Sequence, residues 1–420
     1  MNDFDVKLNR YADLIIEVGL NIQPGQKLII NSPVSAVDFV RIVTEKAYKA
    51  GTSRVLVQYF DEIVGKLTLE LATEEGLEDF PTWIPRGYEE MAEENVAFLN
   101  LNAPNPTLLK DVDPNRVAIS NKAQGMAFRG FQQYIVGGKI SWLIAAIPTM
   151  EWAETVFPKE RPETALSKLW DNIFYTTRVD QERPVELWKE HIGQLNHHAA
   201  VLNEKDIQKL HYKGPGTDLT IEFDSRSQWI SAGFQNEKGI DFVPNLPTEE
   251  VFTIPVRTGV NGIVQSTKPL NYSGNLIKDF SLTFKDGKVV DFQAKEGYET
   301  LKKLLDTDDG ACYLGEVALV PHDSPISNTN LVFNNTLFDE NASCHLALGN
   351  ALNICVKDES NQAPELLEEM GFNTSITHVD FMIGSAELNI DAIKKDGTTE
   401  PIFRNGNWAS NLIPASSVKK

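Results

Sequence analysis

The 420-residue chain is poor in cysteine: Cys312, Cys344 and Cys355 are its only three, and no two form a C-x-x-C pair. So sparse and odd a set excludes a disulfide scaffold or a zinc ribbon and fits a reducing compartment. Positive charge is also scarce, with 39 Lys and Arg against 59 Asp and Glu, a formal net charge of −20. Nucleic acid and anionic membranes both demand a dense basic footprint, so neither is an expected partner. Long apolar runs are missing as well. Even the stretch from Ile140 to Ile147 is far below the roughly 18 residues of a membrane helix. Met1-Asn-Asp-Phe-Asp5 lacks a basic region followed by an apolar one, so no secretory signal is expected and the cytoplasm is the expected location. Gly214-Pro-Gly216 lacks the rest of a dinucleotide fingerprint, and no phosphate-binding lysine loop occurs.

What remains is an ordinary globular composition, 42% hydrophobic and 23% charged. A single core stops growing beyond roughly 250–300 residues, which predicts two domains. Over 1–195 the pattern alternates. Lys27-Leu-Ile-Ile30, Val55-Leu-Val57, Val96-Ala-Phe-Leu99 and the run from Ile140 to Ile147 read as apolar strands. Between the first two, Val37, Val40, Val43 and Ala47 fall at helical spacing, with Gly51 as a stop. Strands of this kind predict an α/β domain with a mostly parallel sheet covered on both faces. Two amphipathic helices follow. The second, opened by Pro184, carries Trp188, Ile192, Leu195, Ala199 and Leu202 on its stripe, and the linker is expected near its end, around 195–210. His191, His197 and His198 are read there as a solvated face. Over 196–420 the texture turns to alternating strands and hairpins, such as Leu282-Thr-Phe284 and Val289-Val290 around Asp286-Gly287. This predicts a β-rich α+β domain, and it carries the chemistry.

Four segments stand out. In Asn245-Leu-Pro-Thr-Glu-Glu-Val-Phe-Thr-Ile-Pro255 two adjacent glutamates enter an apolar stretch; if it is extended, Glu249 and Glu250 face opposite ways. Glu316 lies inside the otherwise uncharged Ala311–Val320 run, where a lone carboxylate costs several kcal/mol unless paired or bound to metal. A structural ion pair is the plain alternative. In Phe338-Asp-Glu-Asn-Ala-Ser-Cys-His345, Asn341 and Ser343 read as helix caps, which puts Glu340 just before a helix and His345 in its first turn. Cys344 reads as a small buried residue rather than a ligand. His378 and Asp380, at i and i+2, share one face of a strand. Together Glu250, Glu316, Glu340 and Asp380 supply four carboxylates, and His345 and His378 two imidazoles. Four clustered anions repel unless balanced, and two divalent cations balance four negative charges.

The strings NLPTEEVFTIP (245–255), GEVALV (315–320), DENASCHLALG (339–349) and THVDFMIG (377–384) resemble the motifs of the metallo-aminopeptidase family of thermophilic aminopeptidase T and aminopeptidase S. The resemblance spans essentially the whole chain. It implies metal ligands at Glu250, Glu316, Glu340, His345, His378 and Asp380, two divalent ions drawn from zinc, cobalt, manganese and magnesium, and a homodimer. It also implies peptide substrates with a free N-terminus, a water activated between two metals, and Glu316 or Glu249 as general base. One position departs from the family. Gly349-Asn-Ala-Leu352 carries leucine where members often have tyrosine, removing a donor worth roughly 10²–10³ in rate in other hydrolases. Two other readings stay open: a dinuclear hydrolase of another bond, and a metal-binding protein of low activity.

Overall fold

A computed structural model of the chain describes residues 2–272, 275–357 and 364–412. It divides into two compact units, Met1–Glu190 with Gly233–Pro247, and His191–Ala232 with Thr248–Lys420.

The first unit is built on a five-stranded sheet. Lys27–Pro33 lies between Arg54–Phe60 and Ala97–Asn102, then come Trp142–Ala146 and the short Asn245–Leu246, and every pairing is parallel. The apolar runs of the sequence supply its buried residues: Leu28, Ile30, Leu99, Leu101, Leu143 and Ala145 are all fully inaccessible. Val37–Lys49 forms the helix expected between the first two strands, burying Phe39, Val40, Val43 and Ala47. The α/β character and parallel sheet are as anticipated. A single boundary at 195 differs from the observed division, because Gly233–Pro247 returns to add the last strand to the first unit's sheet. Such a two-residue strand has no periodicity to betray it. The division at 190–191 falls inside one continuous helix, Pro184–Glu204, rather than in a linker. No described helix is long and apolar enough to cross a membrane.

The second unit is β-rich and antiparallel. A nine-stranded sheet includes Ile207–Gly214, Thr217–Glu222, Val260–Gln265 and the hairpin Asn275–Lys285/Lys288–Glu296. A five-stranded sheet runs in the order His378–Met382, His345–Gly349, Leu314–Leu319, Val251–Thr253, Ile230–Ser231. Leu210, Ile221 and Leu282 of the large sheet share one apolar core with Val317, Leu346, Leu348 and Phe381 of the smaller one. Because strand side chains alternate, packing that set inward turns the other set of the five-stranded sheet to its opposite face.

Candidate metal centre

That opposite face carries the candidate ligands. In the antiparallel ladder Glu316 lies opposite Ala347, which lies opposite Asp380; Gly349 pairs with His378, and Ala318 with His345. Directly paired residues share a face, as do residues two apart, so Glu316, His345, His378 and Asp380 all project the same way. Phe252 pairs with Ala318. Continuing the alternation back two residues puts Glu250 on that face too. The positions between these side chains are Ala318, Ala347 and Gly349, whose small side chains leave room above the sheet.

Two glycines make this register feasible. At Gly315 the Leu314–Leu319 strand slips by one residue against its neighbour, and a Cβ there would stand 2.2 Å from the Asn350 carbonyl oxygen. Gly349 has φ +111°, and a Cβ on it would meet the Thr377 carbonyl oxygen at 2.1 Å.

Among the described residues, two groups of side chains could each hold a metal ion: Glu250, Glu316 and His345, and Glu316, His378 and Asp380, with ligand atoms within 4.8 Å of one another. Glu316 belongs to both. One of its oxygens lies 3.7 Å from His345 Nε2 and the other 3.1 Å from His378 Nε2. Glu250 Oε2 is 3.4 Å from His345 Nε2, and Asp380 Oδ1 is 3.5 Å from His378 Nε2. Each imidazole is steered by its other nitrogen, His345 Nδ1 against Ser343 O at 3.1 Å and His378 Nδ1 against Asn350 O at 2.8 Å. This outer contact leaves Nε2 facing the carboxylates, as a metal-ligating histidine requires.

The electrostatics of this face suit a cation. Burial by itself would favour neutral histidines. The neighbouring carboxylates outweigh it, so His345 beside Glu250 and Glu316, and His378 beside Asp380 and Glu316, are held well above the usual imidazole range. Burial by itself would raise Glu316 too, but the two imidazoles bring it down to about 2. In the metal-free protein, protons on the histidines thus stand where divalent charge would balance the carboxylates. The donor set is carboxylate and imidazole, which fits zinc, cobalt, manganese or magnesium. Thiolates take no part: burial lifts Cys344 to about 12, and its sulfur sits against the Val320 backbone.

Glu340 belongs to neither triad. It opens a 3-10 turn, Glu340–Ala342, and its Oε1 accepts a 3.3 Å hydrogen bond from Asn341 Nδ2. Burial, and then the charges of Asp380 and Glu250, push its carboxyl well above the usual range, which places it in the same acidic neighbourhood. The helix anticipated after Ser343 is instead the buried strand His345–Gly349. A short apolar run reads equally well as helix or strand, and pairing with Leu314–Leu319 and His378–Met382 decides it.

Glu249 precedes Glu250 in the chain, just ahead of the Val251–Thr253 strand. Its carboxylate is buried, with Oε2 3.4 Å from His191 Nε2, and its backbone N–H donates to Asn341 Oδ1 at 2.9 Å. His191 and His198 are buried, so they are not the solvated face expected of them; only His197 is exposed. Trp188, His191, Leu195, His198 and Leu202 follow heptad spacing along the helix and are all buried. Both histidines thus occupy the apolar stripe, a signal the spacing contained.

The family profile described as "Thermophilic metalloprotease (M29)" matches residues 4–408. The chain belongs to that family. It is 49% identical to "Aminopeptidase 2" of Geobacillus stearothermophilus over 98% of this chain and 100% of the relative. It is 42% identical to "Aminopeptidase T" of Thermus aquaticus, over 97% of this chain and 100% of the relative. Among solved structures, "Wild-type AmpT from Thermus thermophilus" superposes with a TM-score of 0.91 at 39% identity, covering 97% of this chain and 100% of that one. As an M29 protein the chain is expected to bind divalent metal, and the two triads are the described side chains suited to it.

Proposed function

We propose that this chain, a metallo-aminopeptidase, releases N-terminal residues from peptides at a centre of two divalent ions held by Glu250, Glu316, Glu340, His345, His378 and Asp380. The observation that carries this reading is the sharing of Glu316 by two ligand triads on one sheet face. Ions bound there supply Lewis acidity toward the peptide carbonyl and acidify an attacking water.

The protein's own groups do the rest. With one Glu316 oxygen committed to each triad, Glu316 is a poor candidate for general base, and Glu249 takes that role. Glu249 removes the proton from the attacking water and passes it to the leaving amine, both steps at one carboxylate oxygen. The acidic lining of the centre holds the substrate's free α-ammonium group, which selects the chain end. Leu352 offers no hydroxyl to the developing oxyanion, so turnover is lower than in a tyrosine-bearing relative.

The partner we propose is a second copy of the chain. Edge strand Arg54–Phe60 exposes Leu56, Val57 and Tyr59, and helix Glu62–Leu71 buries no residue while exposing Ile63, Val64, Leu67 and Leu71. An apolar edge and helix of this kind invite a covering surface.

Metal-reconstituted hydrolysis of an aminoacyl-peptide panel tests the assignment, with chelated protein and the N-acetylated peptides as controls. Turnover restricted to free amines is expected. Equal hydrolysis of blocked and free peptides would indicate a different bond specificity, and no turnover with any metal would favour a binding role.

A further inference from the structure

We infer that His191 is a positioning residue that holds the Glu249 carboxylate in place, an inference that rests on the reading of Glu249 as general base. His191 is carried by the long helix Pro184–Glu204, an element that bears no candidate ligand. Its Nε2 lies 2.9 Å from Thr248 O and 3.4 Å from Glu249 Oε2. A carbonyl oxygen can only accept, so Nε2 carries the hydrogen and donates it to the backbone just before Glu249, with the Glu249 carboxylate beside the same N–H.

Glu249 is gripped from a second direction. Its N–H donates to Asn341 Oδ1 at 2.9 Å, and the fully buried Asn341 donates from Nδ2 to Leu337 O and Glu340 Oε1, both at 3.3 Å. The residue assigned to proton transfer is therefore approached at its carboxylate by an imidazole of the helix, and its backbone N–H is tied through the Asn341 amide to a candidate metal ligand. A glutamate has three side-chain torsions, and an unheld one samples several rotamers. Displacement of a catalytic group by about 1 Å can cost roughly 10²-fold in rate. A histidine present only to fill the core would be satisfied by the Thr248 carbonyl and would need no particular orientation toward Glu249.

Four proteins test the inference: wild type, His191→Leu, Glu249→Gln and the double variant, with His191→Gln as the conservative control. His191→Leu should lower kcat by roughly 10²-fold while KM and metal stoichiometry, read by atomic emission, stay unchanged. His191→Gln keeps an N–H near the same reach and should recover most of the loss. In the Glu249→Gln background, adding His191→Leu should cost nothing further. Unfolding of the same four proteins without metal should show non-additive stability changes, a readout independent of turnover.

An inactive Glu249→Gln beside a fully active His191→Leu would overturn the role of His191 alone. So would an additive loss in the double variant, or a His191→Gln as impaired as His191→Leu. A fully active Glu249→Gln would instead remove the base assignment and this inference with it.

Discussion

Replacing Glu316 with glutamine preserves its shape and removes the one charge that both triads share. In the metal-free protein the two imidazoles lower this buried carboxyl from 4.5 to about 2. At about 1.4 kcal/mol per tenfold, the net shift left after the opposing cost of burial corresponds to about 3 kcal/mol at neutral pH. A depressed carboxyl stabilises the fold above its ordinary range, and that contribution is lost as pH falls toward about 2. Metal-stripped Glu316→Gln should therefore unfold at lower denaturant than wild type near pH 7, and the gap should narrow progressively in acid. The loaded state should suffer more. Both triads lose a ligand at once, so the variant should bind less metal, gain little stability on metal addition and hydrolyse no peptide. Denaturant titrations with and without metal, metal content and peptide turnover measure all three. A variant with wild-type stability in the stripped form would refute the electrostatic account. One with full metal content and turnover would remove the site.

Three further outcomes can be measured. Because His345 and His378 are held well above the usual imidazole range and must lose protons to bind metal, affinity should fall as the pH is lowered from about 8 to about 6. Calorimetry in buffers of different ionisation enthalpy should show proton release on loading, and pH-independent binding would contradict the assigned ligands. Leu352→Tyr should raise kcat, by up to roughly 10²-fold, if the lost hydroxyl is the limiting defect; an unchanged kcat would mean another donor serves. Leu67→Asp paired with Ile63→Asp should convert a dimer into a folded monomer by sedimentation, and an unaltered assembly would place the interface elsewhere.

Much of this architecture is legible in the sequence. The parallel strands of the first unit announce themselves as uninterrupted apolar runs, since a sheet covered on both faces leaves no polar alternation. His378 and Asp380 gave their shared face away by spacing, and Glu316 by standing alone among apolar neighbours. Other features lacked a local signal. His345 belongs to a strand whose five residues are all buried, and only the neighbouring strands make it extended. Asn341 looks like a helix cap, whereas its amide is spent on Glu249 and Glu340, one of them 92 residues away in sequence. His191 was a different kind of miss. It falls on the heptad of Trp188 and Leu195, where position along the helix outweighs the polarity of the side chain.

The slip at Gly315 has a consequence for how this centre tolerates change. With that extra residue, Glu316 sits opposite Ala347, on the ligand face. Without the slip, Gly315 would pair with Ala347 and Glu316 with Leu346, turning the carboxylate into the apolar core, where Val317 and Leu346 now pack. Insertions and deletions beyond this slip would act as parity errors, exchanging the two faces unless a further bulge absorbed them. The centre should therefore survive many substitutions among its neighbours and no change of chain length between Glu316 and Ala318, a constraint on its inheritance stricter than ligand identity alone.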